Sequence, residues 1–277
     1  MKADVKHEVS AATLRDIAAE AATAFENGGS QVQPFSARHP GLTPDDSRRI
    51  AALANEIRIA KGYTPIGRKF GFTNRGIWDE YGVHAPNWGY VYDRTLHEFA
   101  TPLPLAPYSE PKIEPEIMFG LARTPSPGMD DTALLSCTAW VAHGYEIVQS
   151  IFPGWKFAPA DTVVANAMHG ALLIGPRHKI GAQAAEWLHA LASFEIELFC
   201  DGKLMDKGHA LNVLEGPLST IRYVMDLLAQ DPDNPALAAG EIISTGTLTR
   251  ALPVKPGETW TTKLKGIVLE GASLKFC

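Results

Sequence analysis

The spacing of apolar and polar positions divides the chain into a helical beginning and a longer, strand-rich remainder. Leu14, Ile17, Ala18, Ala21 and Phe25 recur every three or four residues, so they share one face of a predicted helix. Ser10 stands where an N-cap belongs, and Asn27-Gly28-Gly29 supplies the stop. Thr43-Pro44-Asp45-Asp46 opens a second helix with a cap, a proline at the first helical position and two acids in the first turn. Ile50, Leu53, Ala54 and Ile57 carry its apolar face to Lys61-Gly62.

From Thr64 the texture changes to short apolar runs broken by Gly, Pro and Asn: 67–72, 113–119, 145–152 and 171–175. These are predicted strands. Phe194, Ile196, Leu198 and Cys200 alternate with Glu195, Glu197 and Phe199 ahead of Asp201-Gly202, a pair that tolerates the positive φ angles of a tight hairpin turn. Leu218, Ile221, Met225 and Leu228 mark a helix after Pro217, and strands resume at Glu241. The reading is an α+β protein with a helical N-terminal region, residues 1–63, and a β-rich core, residues 64–277.

Composition narrows the function. A 45% apolar and 20% charged chain of 277 residues is an ordinary globular one, able to bury a full core. With 25 basic against 31 acidic residues, the formal charge of -6 argues against a nucleic-acid or anionic-membrane surface and for a small-molecule partner. The charged start lacks the apolar stretch of a signal peptide, and no run has the length of a membrane span, so a cytoplasmic protein is expected. Three scattered cysteines make neither a disulfide framework nor a CxxC site. No nucleotide-binding loop, nucleophile elbow or HExxH pattern is present.

The segment Lys112-Ile113-Glu114-Pro115-Glu116-Ile117-Met118-Phe119 carries the candidate chemistry. Strand periodicity puts Glu114 and Glu116 on one face, their backbones roughly 7 Å apart, with Ile113, Ile117 and Phe119 on the other. Buried like charges need a cation or a proton to compensate them. Pro115 cannot donate to a ladder, which predicts an edge strand or a bulge. Spacing alone does not separate a metal site from a solvated face, because Glu195 and Glu197 have the same spacing.

Several segments together carry a resemblance. Gly67-Arg68-Lys69-Phe70-Gly71-Phe72-Thr73, Pro111 to Glu116, Tyr145-Glu146-Ile147-Val148 leading to Trp155-Lys156-Phe157, Asp161-Thr162-Val163 before Asn166, and Thr245-Gly246-Thr247-Leu248 follow one another in a familiar order. In order and spacing they resemble the 2-oxopent-4-enoate hydratase and 4-oxalocrotonate decarboxylase family of the fumarylacetoacetate hydrolase superfamily. The resemblance spans nearly the whole chain and implies a mixed-sheet core of the fumarylacetoacetate hydrolase type. It implies that Glu114, Glu116 and Glu146 bind one Mg²⁺ or Mn²⁺, an all-oxygen set that suits a hard cation and leaves open positions for a 2-oxo acid.

Lys69 matches the family's active-site lysine; the bland reading is a solvated surface lysine. Lys156 and Asp161 match further family positions, with a structural ion pair as the equal alternative. Thr245, Gly246 and Thr247 resemble a loop lining the substrate end of the pocket, although a glycine between threonines also makes an ordinary bulge. Asn87 and His169 fall in matching segments but depart from the pattern: the hydratases are expected to carry an acid at the first position and a small hydroxylated residue at the second. A neutral amide and a histidine there predict a less acidic pocket, suited to a substrate with an added polar or anionic group; the equal alternative is that both side chains point away from the cavity and satisfy local backbone groups.

The activity implied is metal-dependent hydration of a 2-hydroxy-2,4-dienoate to a 4-hydroxy-2-oxo acid in aromatic catabolism. The alternatives are decarboxylation of an oxalocrotonate-like diacid, carbon–carbon hydrolysis of an acylpyruvate, and a non-catalytic partner subunit of such an enzyme. Family likeness also implies a homo-oligomer, associated in some members with a second pathway enzyme.

Overall fold

The computed structural model describes residues 9–26, 28, 30–99 and 102–277. Helix α1, Ala11–Glu26, starts at the predicted cap, where the Thr13 N–H donates to Ser10 Oγ at 3.1 Å. Asn27 and Gly29 of the predicted stop lie outside the described residues. A single turn, α2 (Phe35–Arg38), precedes α3 (Pro44–Ala60), whose start is a full capping box: Thr43 accepts from the Asp46 N–H, and Asp46 accepts from the Thr43 N–H. Leu14, Ile17, Ala21, Phe35, Ile50 and Ala54 interlock in one cluster with Ile151, Phe152, Val164 and Met168. The helical region is thus packed onto the stretch that leads into the site.

Six strands of the larger sheet are β1 (Pro65–Gly71), β2 (Asn87–Tyr92), β3 (Leu96–Glu98), β4 (Lys112–Leu121), β5 (Thr138–Val148) and β6 (His169–Ile174). The short β7 (His178–Lys179) pairs with β5. The hairpin β8 (Glu195–Cys200) and β9 (Lys203–His209) turns at Asp201 and Gly202, both with the predicted positive φ, 48° and 79°. After the helix Pro217–Leu228 come β10 (Ile242–Ser244), β11 (Leu252–Pro253), β12 (Thr259–Lys265) and β13 (Ser273–Lys275). The larger sheet runs β2-β1-β10-β4-β5-β6-β3, and a second sheet runs β13-β12-β8-β9. The chain is α+β with mixed pairing: β1–β10 and β3–β6 are parallel, and the remaining pairs are antiparallel.

Alternation sorts β4 as predicted. Ile117 and Phe119 pack with Val141 and with Leu218 and Ile221 of the helix Pro217–Leu228. Ile113 joins Tyr145 and Ile147 against Leu198, Trp260 and Leu274 of the second sheet. Each such large apolar side chain removed from water contributes about 1.5–3 kcal/mol, so this face fixes the sheet and leaves the other free for chemistry. No helix among the described residues is long and apolar enough to cross a membrane.

One expectation needs correction: β4 is not an edge strand. It lies between β10 and β5, yet Pro115 costs nothing there. β10 reaches only Met118, Phe119 and Gly120, and β11 only Lys112 and Ile113. The Pro115 carbonyl, which shares the side of its missing N–H, accepts from Leu248 in the loop between those strands. The proline occupies the gap between two neighbours rather than an edge.

Candidate metal and substrate site

β4 and β5 pair with Glu114 directly opposite Glu146, and Glu116 follows two residues along the same face. The register therefore brings three carboxylates together, with an oxygen of each lying within 4.8 Å of the others. Glu116 and Glu146 are fully buried, and Glu114 is half-buried beside a cavity. Removal from water, added to the neighbouring negative charges, pushes the Glu114 carboxyl up to about 7 despite the opposing lysines, and holds Glu116 well above the carboxylate range. Such a cluster is poorly compensated by the protein alone. Glu116 Oε1 is buried with no hydrogen-bond partner, and the donor set is all oxygen, so these residues fit a hard divalent cation.

Each carboxylate is aimed by its neighbours. Glu116 Oε2 accepts from the Ser244 hydroxyl and, at 3.0 Å, from the Gly246 N–H. Gly246 has φ +93°, and a side chain there would overlap Thr73 Oγ1, so the close approach requires glycine. Glu146 Oε1 faces His169 Nδ1 at 2.7 Å, while His169 Nε2 lies 2.9 Å from Thr95 Oγ1. His169 is wholly buried, which lowers its proton affinity against the pull of Glu146 and favours the neutral ring. The proton then belongs on Nδ1, donated to Glu146, the arrangement that orients metal-binding carboxylates and histidines alike.

Lys69 is also buried. Its Nζ donates to the Ala167 carbonyl at 2.8 Å and lies 3.0 Å from Glu146 Oε2, an ion-pair distance off the direction of an aligned hydrogen bond. Burial opposes its charge, but Glu146, Glu114 and Glu116 outweigh that and raise its proton affinity, so it is an ammonium. The carbonyl it reaches belongs to a run, Asn166, Ala167 and Met168, in which all three residues have φ between 51° and 63°. This left-handed backbone costs energy, and the buried side chains of that run hold it in place.

The cavity leaves about 90 Å³ for the centres of water-sized molecules and opens to solvent. Lys69, Glu114, Asn87 and Thr247 line it. Thr162 Oγ1 donates to the Pro159 carbonyl at 2.7 Å, so it must accept from Asn87 Nδ2 at 2.9 Å. That fixes the amide orientation and leaves Asn87 Oδ1 buried without a partner.

Other anticipated residues lie elsewhere. His169 does not line the cavity; it backs Glu146, so it adds no polar group for a substrate. Asp161 is buried with its oxygens taken by the Ser36 N–H and hydroxyl and by the Ala158 N–H, which ties α2 to the helix Pro159–Val164. Lys156 is exposed, and no Lys156–Asp161 ion pair forms. Thr245 is buried and donates to the Ile117 carbonyl at 3.0 Å, a strand-extending role. Ser244, Thr73 and Thr95 were not singled out from the sequence. Ser244 alternates with Gly246 at the end of an apolar run, the one local sign that both face the same way.

No family model matches the chain. Among curated proteins it is 29% identical over 237 residues to a 2-hydroxyhexa-2,4-dienoate hydratase of Comamonas testosteroni, covering 84% of this chain and 87% of that one. It is likewise 29% identical over 224 residues to a 4-oxalocrotonate decarboxylase of a Pseudomonas species, covering 79% and 84%. The chain is a homologue of these hydratases and decarboxylases. Among solved structures, the 4-oxalocrotonate decarboxylase of Pseudomonas putida G7, complexed with magnesium and adipate, superposes with a TM-score of 0.88 over 98% of this chain and 99% of that one, at 23% identity. The fold is fumarylacetoacetate-hydrolase-like: a putative fumarylacetoacetate hydrolase family protein of Yersinia pestis superposes with a TM-score of 0.52 over 78% of this chain and 94% of that one, at 15% identity.

Proposed function

We propose that the chain is a divalent-metal-dependent hydratase that converts a 2-hydroxy-2,4-dienoate, the enol of a 2-oxo-4-enoate, into a 4-hydroxy-2-oxo acid. The observation that carries this reading is the cluster of Glu114, Glu116 and Glu146 beside Lys69 at the cavity, in a homologue of such hydratases. Glu114, Glu116 and Glu146 would hold Mg²⁺ or Mn²⁺, which supplies Lewis-acid stabilisation of the charge developing on the 2-oxo acid. Ser244, Gly246 and His169 keep two of the carboxylates in position. Of the three Lys69 N–H groups, one goes to Ala167 and one faces Glu146, leaving the third to move a proton at the substrate. Asn87 and Thr247 flank the same space. In this reading residues 64–277 carry the chemistry and the helical region braces it.

The test is product analysis with purified protein, Mn²⁺ and 2-hydroxypenta-2,4-dienoate or its methyl homologue. Addition of one water, abolished by EDTA and restored by Mn²⁺, supports the hydratase. Release of CO₂ from an oxalocrotonate-like diacid, or two acid fragments from an acylpyruvate, with no hydration, would assign the site to the other chemistries of the superfamily.

A further inference from the structure

Beyond the carboxylates, the cavity wall is a string of aromatic rings. Phe72 and Tyr81 have ring centroids 5.6 Å apart, Tyr81 stacks on Phe157 at 5.9 Å, and Phe157 meets Trp155 at 6.3 Å. All four line the cavity and all four remain partly exposed. Ile77 and Met168 add further apolar lining.

Two of these rings are set by unusual backbone. Phe72 has φ 54° and Trp155 φ 57°, left-handed values that bulky residues rarely adopt. Phe72 is pinned there by its carbonyl, which accepts from the Trp78 indole at 2.8 Å, and Trp155 by its own indole, which donates to the Glu110 carbonyl at 3.1 Å. Backbone strain of this kind persists where the surroundings enforce a particular side-chain placement.

The charges are distributed unevenly. The two lysines among the lining residues, Lys69 and Lys112, both act on Glu114, which places them at the carboxylate end. Lys112 Nζ also sits 3.9 Å from the centre of the Trp155 ring. No arginine or histidine is among the described lining residues, and the Phe72–Tyr81–Phe157 stretch offers no cation to a second carboxylate. His169, from which an anion-friendly pocket was expected, is turned to Glu146 instead.

We infer that the site takes 2-oxo acids whose far end is an apolar, preferably planar group, an aryl or alkenyl substituent, and rejects a terminal carboxylate. This rests on the reading of the carboxylate cluster as a metal site for 2-oxo acids and specifies the part of the substrate that the reading leaves open. Aromatic faces receive a planar apolar group by stacking and by exclusion of water, whereas a carboxylate placed against them loses hydration and finds no cation to compensate it.

The test is calorimetric binding, with Mn²⁺ present, of three probes: 2-oxobutanoate, 4-phenyl-2-oxobutanoate and 2-oxoglutarate. The phenyl probe is expected to bind about tenfold or more tightly than 2-oxobutanoate, from the area its ring buries, and 2-oxoglutarate no better than 2-oxobutanoate. Phe157→Ala and Tyr81→Ala should pull the phenyl-to-butanoate affinity ratio toward one, and Tyr81→Phe should keep it. Thermal melts identify a variant that fails to fold, and the wild-type ratio remains a test in its own right. Equal binding of all three probes, or preference for 2-oxoglutarate, overturns the apolar subsite while leaving a 2-oxo acid site intact. If none of the probes binds in the presence of Mn²⁺, the metal-site reading fails and the inference fails with it.

Discussion

Two pairs of glutamates two residues apart, Glu114/Glu116 on β4 and Glu195/Glu197 on β8, have the same spacing on the same kind of element and opposite physical characters. On β8, Glu197 pairs with Lys207 across the hairpin at 2.7 Å, and that contact holds its carboxyl below the usual carboxylate range. On β4, burial and a third carboxylate drive the pair the other way. β8 and β9 stand in a four-stranded sheet where water and lysines reach the acids. β4 lies inside the larger sheet, where each charge must be compensated by something held in place. The difference lies in what faces the carboxylates, not in the motif.

The sharpest way to break this contrast is to neutralise acids of the buried cluster and acids of the hairpin in turn. Glu116→Gln and Glu146→Gln should each reduce activity on the order of a thousandfold or more and remove most Mn²⁺ binding, because each deletes a charged oxygen from a three-carboxylate set. Glu195→Gln and Glu197→Gln should change neither. Mn²⁺ titration by calorimetry together with turnover measures all four, and a β8 variant that loses Mn²⁺ as the β4 and β5 variants do would remove the site from β4.

A smaller effect isolates the buried cation. Lys69→Ala should lower kcat by about a hundredfold, the scale of a lost proton-transfer group, while Mn²⁺ remains bound. The corresponding change on the hairpin, Lys207→Ala, should leave both kcat and the melting temperature unchanged, since an exposed ion pair is worth little. A Lys69→Ala protein with full kcat would take that residue out of the mechanism.

His169→Ser gives the next smaller change. With its ring no longer aiming Glu146, Mn²⁺ affinity should fall about 10- to 100-fold, the range for groups that orient a ligand. The phenyl-to-butanoate binding ratio should not move, because the ring lies outside the cavity. A changed ratio with unchanged Mn²⁺ affinity would return His169 to the substrate side.

The smallest expected effect is on stability. Gly246→Ala, forced into φ +93° against Thr73, should destabilise the fold by about 1–3 kcal/mol in urea denaturation. Gly202→Ala in the hairpin turn is strained by its φ of 79° but meets no neighbouring atom, and should cost less.

Much of this was legible in residue patterns, and the rest fails for definite reasons. Period-two alternation gave the faces of β4, and Asp201-Gly202 gave the hairpin turn, because both are local properties of the chain. That Glu146 would stand opposite Glu114 depends on the register of two strands about thirty residues apart, which resemblance suggested but spacing could not derive. Lys156 and Asp161 illustrate the limit: they are near in sequence, yet Asp161 is claimed by Ser36, 125 residues away. His169 stands out as a departure whose direction is open at the level of sequence, since the neighbours of a residue at the end of a left-handed loop do not reveal where its ring points. Pro115 was read as an edge signal because a gap between two short partner strands leaves no trace in the motif.

Pro115 also acts as a proofreading mark for sheet assembly. If β4 slid by two residues against β10 and β11, the alternation of faces would be kept and the apolar core would register no objection. A residue without an N–H would then sit opposite a strand carbonyl that now finds its donor, leaving a buried acceptor unpaired at about 1–3 kcal/mol. The slide would also carry Glu116 away from Ser244 and Gly246. The proline thus penalises a mispairing that the alternation of faces does not detect.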